Sequence, residues 1–333
     1  MLKKNMQKNS KKILLLIILS LFIISNCASK KVPTTNIDRS EKIPTTAIKI
    51  TPETDKYPPI IHSDEFDPLF PLGDNINTAG AEDSPFVSTQ GGETLYFFFT
   101  PDVRIPPEKQ VSDGVTGIYV SYKGKGDFYR TERIILQDKN KLALDGCEFV
   151  INNTILYFCS AREGYTGIHW FTAEKIDKKW TNWKNSDFNS DYEVGELHID
   201  NNELYFHSAK SGGKGGLDIW VSRKLNNKWQ QPVNLEIVNT KENEGWPYIS
   251  PDGKELWFSR TYKGSPAIFR SKKDNNQWQS PELIISQFAG EPTLGINGNL
   301  YFVHHYFKDG IMIEADIYIA TRSKKGRELM DEN

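Results

Sequence analysis

The chain has 333 residues, with 41 Lys and Arg against 43 Asp and Glu, a formal charge of −2 and only three Cys. Such a balance excludes attraction to nucleic acid or to an anionic lipid surface by net charge. It also excludes a disulfide-dense framework, while the length is ample for a large apolar core.

Residues 1–26 carry five Lys, at 3, 4, 8, 11 and 12, followed by an apolar run over 13–24 interrupted only by Ser20. This pattern predicts a signal peptide, too short to span a bilayer stably. The run ends in Ile24-Ser25-Asn26-Cys27-Ala28-Ser29, which resembles a bacterial lipobox. The resemblance implies acylation of Cys27, a lipid anchor to the membrane, and a place in the cell envelope at the outer membrane, on its periplasmic face or the cell surface. Removing residues 1–26 takes away the five Lys and no acid, so the formal balance becomes −7. Segment 27–60, with Pro33, Pro44, Pro52, Pro58 and Pro59 among Thr, Lys and Asp, has no apolar period and predicts a disordered tether.

From residue 61 to 323 the sequence repeats. Five apolar-aromatic triplets recur, Leu95-Tyr96-Phe97, Leu156-Tyr157-Phe158, Leu204-Tyr205-Phe206, Leu256-Trp257-Phe258 and Leu300-Tyr301-Phe302, at spacings of 61, 48, 52 and 44 residues. A second landmark follows each triplet, at Ile118, Ile168, Ile219, Ile268 and Ile317, and an outer aromatic follows most of these, at Phe128, Trp180, Trp229 and Trp278. Asn152-Asn153, Asn201-Asn202, Asp252-Gly253 and Asn297-Gly298 supply residues that tolerate positive φ in tight hairpins. Together these signals predict an all-β fold, a five-bladed β-propeller with four-stranded antiparallel blades. The fifth repeat runs into the polar tail 324–333 without an outer strand. Residues 76–88 match 238–250 without a gap, which puts Phe66–Leu72 where an outer strand belongs and predicts that it closes the ring beside Asp316–Thr321.

In Ser250–Arg260, Ser-Pro-Asp-Gly-Lys-Glu-Leu-Trp-Phe-Ser-Arg, and in Ser211–Trp220, the chain resembles the WD40-like repeats of TolB-type β-propellers. The likeness covers roughly residues 66–322. It implies a non-catalytic envelope module that binds a protein partner or a polysaccharide or peptidoglycan-type polymer, with no cofactor. Two other expectations stand beside it, a carbohydrate-active enzyme using paired carboxylates at the propeller pore and a structural scaffold of an envelope assembly.

Acidic residues enter the innermost strand of nearly every repeat: Glu82, Asp83, Glu148, Glu193, Glu196, Glu244 and Glu291. Converging at a pore mouth, they would raise one another's pKa and hold a cation, a basic peptide or a sugar; the plainer reading makes each an acceptor for turn amides. Cys147 and Cys159 flank the Asn152-Asn153-Thr154 turn symmetrically, which fits either a disulfide or two small buried thiols. The six His show no zinc-ligand spacing, and the Gly-rich loop 212–216 leads into a strand rather than a helix, so neither a metal nor a phosphate site is expected.

Overall fold

The computed structural model describes residues 37–188 and 191–331; the signal segment and Cys27 lie outside them. The fold is all-β, with short helical turns at Arg39–Lys42, Pro107–Gln110 and Ile296–Gly298 and one C-terminal helix, Lys324–Asp331. No helix among the described residues is long and apolar enough to cross a membrane.

Each repeat folds as consecutive antiparallel strands. The first strands are Ala81–Ser88, Ala143–Ile151, Leu197–Asp200, Glu244–Ile249 and Ala289–Leu294, and each pairs with the strand holding its triplet. The triplets explain how the sheets stack. Side chains alternate faces along a strand, so the outer two residues of a triplet point one way and the middle aromatic the other. Tyr96 accordingly packs with Leu156 and Phe158, Tyr157 with Leu204 and Phe206, and Tyr205 with Leu256 and Phe258. Trp257 packs with Leu300 and Phe302, and Tyr301 returns to Leu95 and Phe97. The five apolar clusters thus follow one another in cyclic order, as do the contacts between first strands.

Phe70 and Pro71 pair with Ile319 and Tyr318, and Phe66 bridges to Arg322, so the segment before the first repeat runs beside the last strand of the fifth. Ion pairs reinforce this seam. Arg270, fully buried, donates to Glu65 at 2.6 and 2.8 Å, to Glu282 at 2.6 Å and to Glu255 at 3.0 Å, while Arg322 pairs with the same Glu65. Burial by itself would raise the Glu65 pKa, but the hydrogen bond and charge of Arg270, with Arg322 and Lys272, outweigh it and hold the carboxyl down to about 2. Its contribution to stability is therefore complete above about pH 4.5 and is lost as pH falls toward about 2. Between those limits the wild type should lose about 3 kcal/mol more than Glu65→Gln in acid titrations of unfolding; parallel curves would refute the pairing.

From residue 37 the segment expected to be a tether lies against the sheets, and two cations that meet buried acids are the reason. Arg39 is stacked over Phe97, Phe99 and Tyr119, pairs with Glu82 at 3.2 Å and donates to the Ile76 carbonyl at 2.6 Å. In the fourth repeat Arg260 does the same from within: it lies over Phe258 and Phe269, pairs with Glu244 at 2.8 Å and donates to the Val238 carbonyl. The first repeat has Phe99 opposite Glu82, where the fourth has Arg260 opposite Glu244, and Arg39 supplies the missing guanidinium. Lys49 likewise inserts between Glu314 and Asp316 of the fifth repeat, at 2.6 and 2.5 Å.

Candidate functional site

The acids of the first strands separate into two sets. Glu82 and Glu244, both wholly buried, accept from the backbone N–H and hydroxyl of a threonine four residues earlier: Thr78 at 2.9 and 2.7 Å, Thr240 at 3.0 and 2.6 Å. Each therefore caps a turn, with its remaining charge met by Arg39 or Arg260. Burial raises both, Glu82 to about 7 against the Arg39 charge and its Thr78 hydrogen bonds. Glu193 stays on the surface.

The second set is aimed by a break in pairing. Register skips between Asp83 and Phe86, Gly146 and Phe149, Gly245 and Tyr248, and Gly290 and Thr293, the mark of a bulge that turns the strand. At these bulges Asp83, Glu148 and Glu291, joined by Glu196 beside the third repeat's first strand, face one another closely enough for their charges to interact. Glu148 is 6 % exposed and neither carboxylate oxygen meets a hydrogen-bond donor of another residue. Desolvation, then the Glu196 and Asp83 charges, pushes it well above the usual carboxylate range. Glu291 is raised well above that range too, by desolvation and then Asp83 and Glu196, and its Oε2 has no partner. Desolvation and the Asp83 charge lift Glu196 to about 8.

Asp83 differs: its Oδ1 lies 3.4 Å from Nε2 of His305, and its side chain is 25 % exposed. Donor atoms of Asp83, Glu291 and His305 lie within 4.8 Å of one another, near enough to share a cation, although desolvation opposes the ionised form of Glu291 that such an ion needs. Because raised carboxyl pKa values favour the protonated folded state, Glu196 stabilises below about pH 4.5 and loses that contribution as pH rises through about 8. Glu196→Gln should therefore raise Tm by about 5 °C near pH 8.5 while leaving it almost unchanged near pH 4. Calorimetry at the two pH values checks this, and an equal shift at both would count against a charge effect.

Behind the acids the first strands close over aromatic rings. Phe149 lies 5.1 Å from Phe86 and 4.8 Å from the His198 ring, which lies 4.7 Å from Tyr248; the Tyr248 hydroxyl donates to the Leu294 carbonyl. Four repeats contribute rings and the fifth a carbonyl, so the first strands meet over a largely dry floor close in the chain to the acids. This floor desolvates His198, whose pKa falls to about 3, and His207 falls to about 4 for the same reason. Both are neutral near pH 7; His207 Nδ1 accepts from the Trp246 backbone N–H at 3.2 Å. Two surface clefts, of about 460 Å³ at Asp200, Asp252 and Lys273 and about 450 Å³ at Trp180 and Trp183, are lined by none of these four acids.

The alternating sequence pattern reveals neither His305 nor the floor, and of the second set only Glu291 carries a distinguishing neighbour. Glu82 and Glu244 stand three residues before a proline, whereas Glu291 stands immediately before one.

No family model matches the chain, and no curated protein does. Among solved structures it is similar to an endo-arabinase from Bacteroides thetaiotaomicron VPI-5482, at 15% identity and a TM-score of 0.47 over 74% of this chain and 96% of that one. An α-L-arabinofuranosidase from Lactobacillus brevis shares 11% identity, with a TM-score of 0.47 over 77% and 94%. The catalytic domain of a GH62 α-L-arabinofuranosidase from Coprinopsis cinerea shares 10%, with a TM-score of 0.43 over 77% and 96%. These neighbours are an endo-arabinase and two α-L-arabinofuranosidases, and the TolB-like resemblance is corrected accordingly. With it go the non-catalytic binding module and the expectation that the chain is not an enzyme; the signal segment and the lipobox at Cys27 lie outside the described residues. The physical reason lies in the motif itself. Ser250–Lys254 is a self-contained turn, Gly253 N–H donating to the Ser250 carbonyl at 2.8 Å and Lys254 N–H to Asp252 Oδ1 at 3.1 Å, so it reports hairpin chemistry and not ancestry.

Proposed function

We propose that the five repeats are blades of a β-propeller and that the protein is a carbohydrate-active hydrolase whose acid and base meet at the centre of its first strands. The propeller is supported by the cyclic order of the five apolar clusters and of the first-strand contacts, and by the pairing of Phe70 with Ile319.

The hydrolase reading rests on one observation: a dehydrated, unpartnered carboxyl group, Glu148, lies within the electrostatic reach of a second carboxylate, Asp83, that reaches solvent beside an imidazole. Glycoside hydrolysis needs this asymmetry. Glu148 donates its proton to the glycosidic oxygen as the C–O bond breaks. Asp83 then meets the electron-poor anomeric carbon, either by taking a proton from the water that attacks it or by attacking directly to form an ester that water later cleaves. Desolvation, with the Glu196 charge, keeps the proton affinity of Glu148 high.

The test is release of reducing sugar by the full chain from arabinan, xylan and aryl arabinosides and xylosides, compared with Asp83→Asn and Glu148→Gln. Release that is absent throughout, or equal in wild type and both variants, would overturn the proposal.

A further inference from the structure

Four of the five first strands carry the same extra residue, and in each a side chain other than glycine takes left-handed backbone angles: Ser84 at φ 50°, Cys147 at 56°, Trp246 at 52° and Glu291 at 56°. Such a conformation is disfavoured for L-residues and persists only where the surroundings hold it. Three of the bulges share one device. The next residue is a proline, Pro85, Pro247 or Pro292, whose ring fixes its own φ and so stiffens the chain as it leaves the bulge.

The second repeat lacks it. There the next residue is Glu148, and the left-handed residue itself, Cys147, is joined by a disulfide to Cys159 on the adjoining strand, with Cα atoms 5.4 Å apart. Cys159 also pairs directly with Gly146, so the bridge spans the bulge at its base. Because no other residue donates a hydrogen bond to the Glu148 carboxylate, the direction of that side chain depends on backbone and packing alone.

We propose that the Cys147–Cys159 disulfide replaces the missing proline as the element that fixes the second bulge, and that it is thereby the positioning device for Glu148. Both cysteines are partly exposed, within reach of a small reductant. A trialkylphosphine such as TCEP would give two thiols and the phosphine oxide, with water supplying the oxygen and both protons. The freed bulge would then relax toward extended backbone, letting Glu148 swing off the dry floor into water. In the other repeats the prolines are unaffected, so the change is confined to one acid.

The effect on turnover rests on the hydrolase reading above; the effect on Glu148 itself does not. The experiment therefore has two arms, applied to the full chain oxidised, reduced with TCEP, and as Cys147→Ser/Cys159→Ser. In the first arm, carboxyl-¹³C NMR of Glu-labelled protein follows the Glu148 titration, assigned with Glu148→Gln. Loss of the bridge should move its midpoint down by about one unit or more while the Glu291 and Glu196 signals shift less. In the second, the alkaline limb of the pH–rate profile should move in the same direction, with kcat down about tenfold and KM nearly constant.

Superimposable Glu148 titrations with and without the bridge would overturn the proposal, as would global unfolding on reduction, since the claim limits the effect to one bulge. A chain inactive on every sugar substrate would remove the hydrolase reading and leave the first arm to decide this one.

Discussion

Glu148→Gln should lower kcat/KM for polymeric and poorly activated substrates by about 10²–10⁴, because the variant keeps the shape of the acid and removes its proton. Substrates with a strongly acidic aryl leaving group need little protonation and should lose far less, which separates a proton donor from a structural residue. Glu148 is held well above the usual carboxylate range by burial and by the charges of Glu196 and Asp83. Wild-type activity should therefore persist through neutrality and fall on the alkaline side as the acid ionises. In Glu148→Gln that alkaline limb disappears from the residual rate. Asp83→Asn should reduce both kinds of substrate by a comparable factor, since base or nucleophile is needed whatever the leaving group. An unchanged pH profile in Glu148→Gln would assign the acid elsewhere, with Glu196 and Glu291 next in line. Glu82→Gln, by contrast, should alter stability and spare turnover, for its carboxylate is committed to Thr78 and Arg39.

The largest loss of stability is expected from Arg270→Ala, at about 3–5 kcal/mol. The guanidinium is fully buried against the Trp257 ring and joins Glu65 from the N-terminal segment to Glu255 and Glu282 of the fourth repeat. Removing it leaves Glu65 and Glu255, 11 % and 18 % exposed, with less than the charge that permits their burial. Arg322→Ala acts on the same Glu65 from the C-terminal side, so the double variant should cost less than the sum of the two single ones. Urea unfolding measures both quantities. A loss below about 1 kcal/mol for Arg270→Ala would mean that water replaces the guanidinium, as it does at exposed pairs.

Much of the architecture was legible in the residues themselves. The triplet Leu-aromatic-Phe encodes two packing faces at once, which is why five copies predict five stacked strands and why the cyclic clusters follow directly. The ungapped match of 76–88 with 238–250 placed Phe66–Leu72 against the last strand, and it also aligned Ser84 with Trp246, two of the four left-handed bulge residues. The acids were harder to read. Glu82 and Glu244 align perfectly and so invited a shared binding role, yet perfect alignment here reflects a shared turn. Arg39 and Lys49 gave no signal, because a cation in a Pro- and Thr-rich stretch looks the same whether it meets water or a buried carboxylate.

What the sequence by itself determined was therefore everything that depends on neighbours in the chain: β-strands from period-two burial, hairpins from Asn, Asp and Gly, and the repeat that multiplies them. The tertiary structure alone decided which acids meet. One inserted residue in a strand reverses the face of the next side chain, and whether that face is water or another repeat's carboxylate depends on strands brought together from across the chain. Asp83, Glu148, Glu196 and Glu291 acquire their chemistry from that convergence over a floor of rings. The rings stand close to these acids in the chain, but the acids do not stand close to one another, because each comes from a different repeat.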